Sequence, residues 1–135
     1  GRGDVRLVPA DFSGVRELFA ALKRGEAAGF LPDQVPGIGE GEWAEFFGRP
    51  AYTATLAPRL AGRADVACFL AYARRLPRGA GYALVVRPFP ESLPHESPAR
   101  LVNRALEALV RECPEQYLWG YNRYKTPRGA KARPA

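Results

Sequence analysis

Residues 114–126 read PEQYLWGYNRYKT and hold the densest chemistry in the chain. A helix-stopping Pro114 and Gln116 are followed by Tyr117, Trp119, Tyr121 and Tyr124, interleaved with Arg123 and Lys125. Tyr and Trp carry an apolar body with a polar tip, which suits a boundary between apolar and wet surroundings. Arg and Lys add the fixed charge that phosphates or anionic headgroups attract. Such a segment can serve a membrane surface, a phosphorylated ligand or single-stranded nucleic acid. The plainer alternative is a C-terminal segment docked on the core with its charges solvated. Trp119, Arg123 and Lys125 are the candidate contacts to a membrane or to an acceptor phosphate.

Two further groups can carry chemistry. Asp33 and Gln34 close the string LPDQ at 31–34. A carboxylate and an amide there can bind sugar hydroxyls or orient an arginine that holds a phosphate. As a turn or cap residue, Asp33 would be structural instead. Phe46, Phe47 and Gly48 can line an acyl or sugar groove, with Gly48 permitting close backbone approach; two core rings and a turn are the alternative. Arg75 can meet a phosphate bidentately, in competition with Arg49, Arg74 and Arg78. His95, the single histidine, sits between Pro94 and Pro98 and reads as a surface loop residue. The string GIGEG at 37–41 lacks a following Lys, so it is discounted as a phosphate cradle. No serine elbow, P-loop or dinucleotide fingerprint is present.

The elements that must position these groups follow from periodicity. Ser13 or Asp11 can cap a helix with Val15, Leu18, Phe19 and Leu22 on one face, ended by Gly25. Residues 27–31 read as a buried strand and 35–43 as a loop rich in Pro and Gly. A helix is expected over 53–63 with Thr53 near its cap and a kink or late start at Pro58. Residues 66–73 and 81–86 read as strands, antiparallel across the turn at 74–80. Ser97-Pro98 opens a helix whose apolar face is Val102, Leu106, Leu109 and Cys113, and Pro114 ends it. The alternation implies an α/β fold: a small mixed sheet with packed helices.

The chain has 135 residues, enough for one domain with a core. Hydrophobic content of 47% and charged content of 25% are ordinary for a globular protein. The net charge of +6 is concentrated late: from 116 onward come Arg123, Lys125, Arg128, Lys131 and Arg133 and no acidic residue. That excess favours an acidic partner. Cys68 and Cys113 are far apart, in no CxxC pattern, and read as small apolar residues, with no zinc site between them. The chain starts with Gly and contains no Met, so a processed chain or a piece of a longer one is expected. No signal peptide is visible, and no apolar run approaches the roughly 20 residues of a membrane-spanning helix.

PEQYLW, the basic–aromatic run and the KTP that follow it resemble the C-terminal signature of the lipid A biosynthesis acyltransferases. LPDQ at 31–34, FFG at 46–48 and Thr53 within RPAYT stand at a spacing similar to that family's, and Arg75 with Gly81-Tyr82 adds a weaker match. The resemblance implies the C-terminal part of a glycerolipid-acyltransferase-like fold, with residues 1–126 belonging to one domain and 127–135 a disordered basic tail. It implies transfer of an acyl chain from acyl carrier protein or another thioester to a hydroxyl or hydroxyacyl group of a lipid A precursor, with no cofactor or metal. It implies a bacterial inner-membrane location on the cytoplasmic face, contact with an anionic membrane surface and no nucleic-acid partner. Asp33, Gln34, Phe47, Gly48, Thr53 and Arg75 are the substrate-binding residues it points to. The family's His-x4-Asp/Glu pair is not here: Ala99 and Arg100 stand where a carboxylate should follow His95. The motif, the membrane anchor and the first strands of the sheet are expected upstream, so this chain alone should be inactive. One strand edge or apolar face should then be abnormally exposed. A non-enzymatic basic module for anionic lipid or nucleic acid, or a relative acting on another glycolipid or lysophospholipid, is the alternative.

Overall fold

A computed structural model describes residues 5–9, 12–37, 39–61 and 65–130 of the chain. It divides into two units, Gly1–Phe30 and Leu31–Ala135. In the first unit the expected amphipathic helix forms as α1, Phe12–Lys23. Val15, Leu18, Phe19 and Leu22 are all half-buried along it. Lys23 lies in the last turn, where a cation suits the negative helix end. Ser13 lies inside the helix rather than before it, and Asp11 falls outside the described residues. The strand expected over 27–31 does not form, and Leu31 is 71% exposed. Ala27, Ala28 and Gly29 offer little side chain to bury, and Gly is a poor strand former.

In the second unit β1, Gly41–Phe46, and β2, Arg49–Ala54, pair antiparallel, with Phe46 opposite Arg49. Two expectations are corrected here. The loop expected over 35–43 ends at Glu40, so Trp43 is a strand residue. Thr53 is not a helix cap: it lies in β2, and helix α2 spans Leu56–Ala61. The sequence Ala51-Tyr52-Thr53 is fully buried, and an aromatic and a β-branched residue fit a covered pleated strand better than a helix start. Pro58 does delay the helix, standing in its first turn, where its missing N–H is harmless. The expected helix end at 62–63 falls outside the described residues.

The later elements keep their expected order but not all their bounds: residues 66–68 are not strand, and Arg74 and Arg75, expected in the turn, are strand residues because the ladder continues to their partners Ala83 and Tyr82. β3, Phe69–Arg75, and β4, Tyr82–Pro88, pair antiparallel around a helical turn at Pro77–Gly79. Helix α3 spans Pro98–Glu112, with the Ser97 hydroxyl accepting from the Arg100 N–H at 3.2 Å and Pro98 at its start. The α/β class therefore holds, as small sheets with packed helices. The core is Phe46, Ala51, Val102 and Leu106, with Phe47, Phe89, Tyr117 and Tyr124 packed on it. α3 thus covers the β1–β2 hairpin. The β3–β4 hairpin instead alternates half-buried and exposed residues along both strands. One of its faces is the exposed apolar face expected above.

Candidate functional site

The β1–β2 turn is Phe47-Gly48, and both residues have positive φ, 48° and 73°. That is the backbone sense of a tight I′-type hairpin turn. Gly48 adopts it freely, but a bulky Phe in this region is strained by about 1–3 kcal/mol. Two groups hold Phe47 there. Its N–H donates to Glu107 Oε1 on α3 at 3.0 Å. Its ring packs edge-on against Phe46 at 4.8 Å and faces Trp119 at 6.3 Å, with the Arg111 guanidinium 4.9 Å from the ring centre. Glu107 is only 4% exposed, and it also accepts from Arg100 at 2.8 Å.

The C-terminal segment runs back across this turn. Tyr117 meets Trp119 edge-on at 4.9 Å and Phe46 at 6.4 Å. The Tyr124 hydroxyl donates to the Phe46 carbonyl at 3.0 Å, and the Arg49 guanidinium sits 4.1 Å over the Tyr124 ring. Trp119 is 59% exposed, although its indole N–H donates to the Pro114 carbonyl at 2.7 Å. Phe47, Tyr117 and Trp119 thus form a half-open aromatic face, with the exposed Arg111 on Phe47 at its rim, while the exposed Arg49 sits on Tyr124, whose ring packs on Phe46. Burial raises the Tyr117 hydroxyl pKa first, and the Asp33 charge raises it further. The LPDQ segment is tied to the same place: Gln34 N–H closes a turn on the Leu31 carbonyl, and Val35 N–H donates to the Tyr121 hydroxyl at 2.9 Å.

Arg123 overturns its sequence assignment. It was expected to project toward an anionic surface, yet it is 2% exposed. Its guanidinium donates to the Tyr52 carbonyl and the Thr53 hydroxyl at 2.8 Å each, and to Asn103 Oδ1 at 3.1 Å. Nε has no hydrogen-bond partner among the described residues. Desolvation lowers the Arg123 pKa, and the neighbouring tyrosines and Asp33 act in the opposite direction. The fork geometry of Arg explains the outcome: it can satisfy a strand carbonyl, a hydroxyl and an amide at once. Thr53 is fully buried in this network, so it acts through Arg123 and Asn103 and not as a surface contact.

The structure thus brings Phe47, Gly48 and Trp119 to one face, with Arg123 buried behind Phe46 and bonded to Thr53, and the Asp33 charge acts on Tyr117 and Arg123 from the LPDQ turn, where Gln34 is exposed. Lys125 is exposed beside the Tyr121 ring, 5.1 Å from its centre. Arg75 stands apart on the β3–β4 hairpin. Its backbone is clasped by the Gln116 amide at 2.7 and 3.1 Å, and with Arg74 and Arg78 it lines an open cleft of about 620 Å³. His95 is exposed in a loop at φ 61°. Asn103 and Glu107 were missed by the sequence reading. Their i, i+4 spacing beside an apolar stripe was the available signal, since it puts both polar groups on one helix face.

A family model of bacterial lipid A biosynthesis acyltransferases matches residues 2–126. The chain belongs to that family. It is 31% identical over 129 residues to the lipid A biosynthesis lauroyltransferase of Escherichia coli, covering 91% of this chain and 42% of that protein. It is 33% identical over 115 residues to the lipid A biosynthesis palmitoleoyltransferase of the same organism, covering 83% of this chain and 38% of that one. A lipid A biosynthesis acyltransferase of Shigella flexneri matches to the same extent. The chain thus spans about two fifths of the length of these curated relatives. No helix among the described residues is long and apolar enough to cross a membrane.

Proposed function

We propose that this chain forms the acceptor-side part of an acyltransferase that esterifies a lipid A precursor on the cytoplasmic face of the bacterial inner membrane. The observation that carries the reading is the Phe47–Tyr117–Trp119 face with Arg111 at its rim, together with Arg49 on the Tyr124 ring that packs on the same Phe46. Apolar rings beside fixed cations match an acceptor that joins acyl chains to a phosphorylated sugar. In the reaction, an acceptor hydroxyl or hydroxyacyl oxygen attacks the thioester carbonyl of an acyl carrier protein or similar donor. A C–O ester bond forms, the C–S bond breaks, and the proton passes to a general base while the thiol departs. No residue of this chain is assigned that base. Its own residues would hold and orient the acceptor, with Asp33, whose charge reaches Tyr117, and its neighbour Gln34 as hydrogen-bonding groups for sugar hydroxyls.

The test is Trp119 fluorescence during titration with vesicles that contain a lipid A precursor, set against neutral phosphatidylcholine vesicles. The expected result is a selective change with the precursor. It should fall about tenfold in affinity when Arg49 and Arg111 are both replaced by Gln, the scale of losing two exposed phosphate contacts. Equal response to both vesicles, or stronger binding of single-stranded nucleic acid at matched salt, would overturn the reading.

A further inference from the structure

Three arginines surround the tip of the β3–β4 hairpin: Arg74 and Arg75 at the end of β3, and Arg78 in the turn. All three are exposed, and none of their guanidiniums has a hydrogen bond or ion pair among the described residues. Arg87, farther along the same hairpin, is by contrast paired with Glu112 at 3.0 and 3.1 Å. The three tip arginines line the open cleft together with Glu115 and Gln116. Glu115 is its one carboxylate, and it already accepts from the Cys113 thiol at 3.1 Å. The tip is also held in shape. The Gln116 amide bonds both the N–H and the carbonyl of Arg75, and the Leu76 N–H donates to the Gly81 carbonyl at 2.8 Å. Arg78 has φ 55°, a left-handed conformation that glycine would adopt at no steric cost. An unpaired cation kept at a strained turn points to a role outside the fold.

We propose that this tip is a docking site for an acidic polypeptide surface, that of the carrier which brings the thioester donor. The inference rests on the acyl-transfer reading above. Neighbouring strand residues point to opposite faces, so Arg74 and Arg75 present their charges on two sides of the hairpin, with Arg78 at its end. Charges spread in this way do not converge on a single phosphate, as a bidentate site requires. They match carboxylates distributed over a protein surface. Arginines beside the apolar Leu76 and Pro77 are also the composition that protein interfaces favour. The reaction has two substrates, and the Phe47–Tyr117–Trp119 face accounts for the lipid one. The tip adjoins that face: Gln116 fastens Arg75, and Tyr117 is the next residue in the chain. A carrier held at the tip would bring its thioester close to the acceptor. Arg75 is thereby placed on the donor side and not at an acceptor phosphate.

The experiment titrates the full 135-residue chain with acyl carrier protein at low and at high salt and reads the dissociation constant. Binding should weaken steeply as salt is added, and should fall about tenfold when Arg74, Arg75 and Arg78 are all replaced by Gln. Arg59→Gln removes an exposed charge on α2 and should leave the affinity unchanged. Arg78→Gly separates binding from folding: glycine suits the left-handed turn, so the thermal midpoint should not fall while carrier binding weakens several-fold. The proposal is overturned if the carrier does not bind, if the triple variant binds it like the parent chain, or if Arg59→Gln weakens it as much as the triple variant does. Displacement of the carrier by inorganic phosphate, but not by chloride at equal ionic strength, would make the tip a phosphate site and overturn it too. So would a triple variant that loses phosphatidylglycerol vesicles while it keeps the carrier. The Trp119 response to vesicles containing a lipid A precursor should survive in the triple variant; its loss there would make the tip part of the acceptor site and overturn the proposal. Carrier binding through the tip by a parent chain without a selective Trp119 response would leave the docking site standing and count against the proposed function.

Discussion

The two hairpins of the second unit differ less in sequence than in what covers them. β1–β2 and β3–β4 are both short, antiparallel and rich in aromatic and small apolar residues. In β1–β2, helix α3 and the C-terminal segment close over Phe46, Ala51, Tyr52 and Thr53, leaving each at most 5% exposed. In β3–β4, Leu84 and Phe69 remain open to solvent. A strand's apolar pattern therefore specifies a face to be covered, and the core exists only where a second element arrives to cover it. Phe46→Ala and Leu84→Ala break this comparison most directly. The first should destabilise the chain by about 3–5 kcal/mol, as expected for a buried ring with no space to collapse. The second should change it by less than about 0.5 kcal/mol. Chemical denaturation of the two variants checks this, and equal losses would mean that the β3–β4 face is covered in solution.

Within the covered hairpin, polar contacts matter as much as apolar ones. Arg123→Met keeps the length of the side chain and removes the donors to Tyr52, Thr53 and Asn103. The acceptors left behind are buried, so a loss of about 1–3 kcal/mol is expected. Arg123→Lys should recover little of it, because an ammonium cannot reproduce the fork. Thermal unfolding of the pair separates this buried lock from a surface role. If both variants unfold like the parent chain but bind anionic vesicles less well, Arg123 is a surface cation after all.

How much of this was legible in the sequence depends on range. The Ser97-Pro98 start, the Pro114 stop and the antiparallel β3–β4 turn are local signals, and they appear as read. Thr53 was misplaced because Thr favours a helix cap and a strand about equally on local grounds. Only the burial of β2 between α3 and Arg123 decides between them. Arg123 itself could not be read, since an arginine among tyrosines looks the same in solvent or in a core. Its partners Thr53 and Asn103 are 70 and 20 residues away.

Phe47 allows structure and recognition to be pulled apart. Asn tolerates positive φ far better than Phe. Phe47→Asn should relieve about 1 kcal/mol of strain and lose a similar amount of ring packing. The net effect on the unfolding midpoint should be small. The aromatic face would meanwhile lose its central ring, so the Trp119 response to vesicles that contain a lipid A precursor should weaken several-fold. A large loss of stability with normal vesicle binding would mean that the ring serves the core alone.

The smallest effect separates α3's outer fastenings from its buried ones. Glu96 accepts from Arg104 at 2.8 and 2.9 Å and from the Leu93 N–H at 3.0 Å, clipping the loop after β4 to α3. The Arg104 hydrogen bonds are the main cause that holds the Glu96 pKa below its usual value, with the Leu93 N–H adding to it. The sign follows directly. A carboxylate with a depressed folded pKa contributes stability that is full above the ordinary value of about 4.3 and is lost as pH falls through the lower folded value. Glu96→Gln should therefore lower stability at neutral pH by about 1 kcal/mol or less. The gap to the parent chain should close as the pH is brought down below about 4. Thermal midpoints across that range check it: the two curves should converge in acid. Parallel curves would mean that Glu96 holds the loop through its neutral hydrogen bonds and not through its charge, while the Phe46 core should be indifferent to the same pH change.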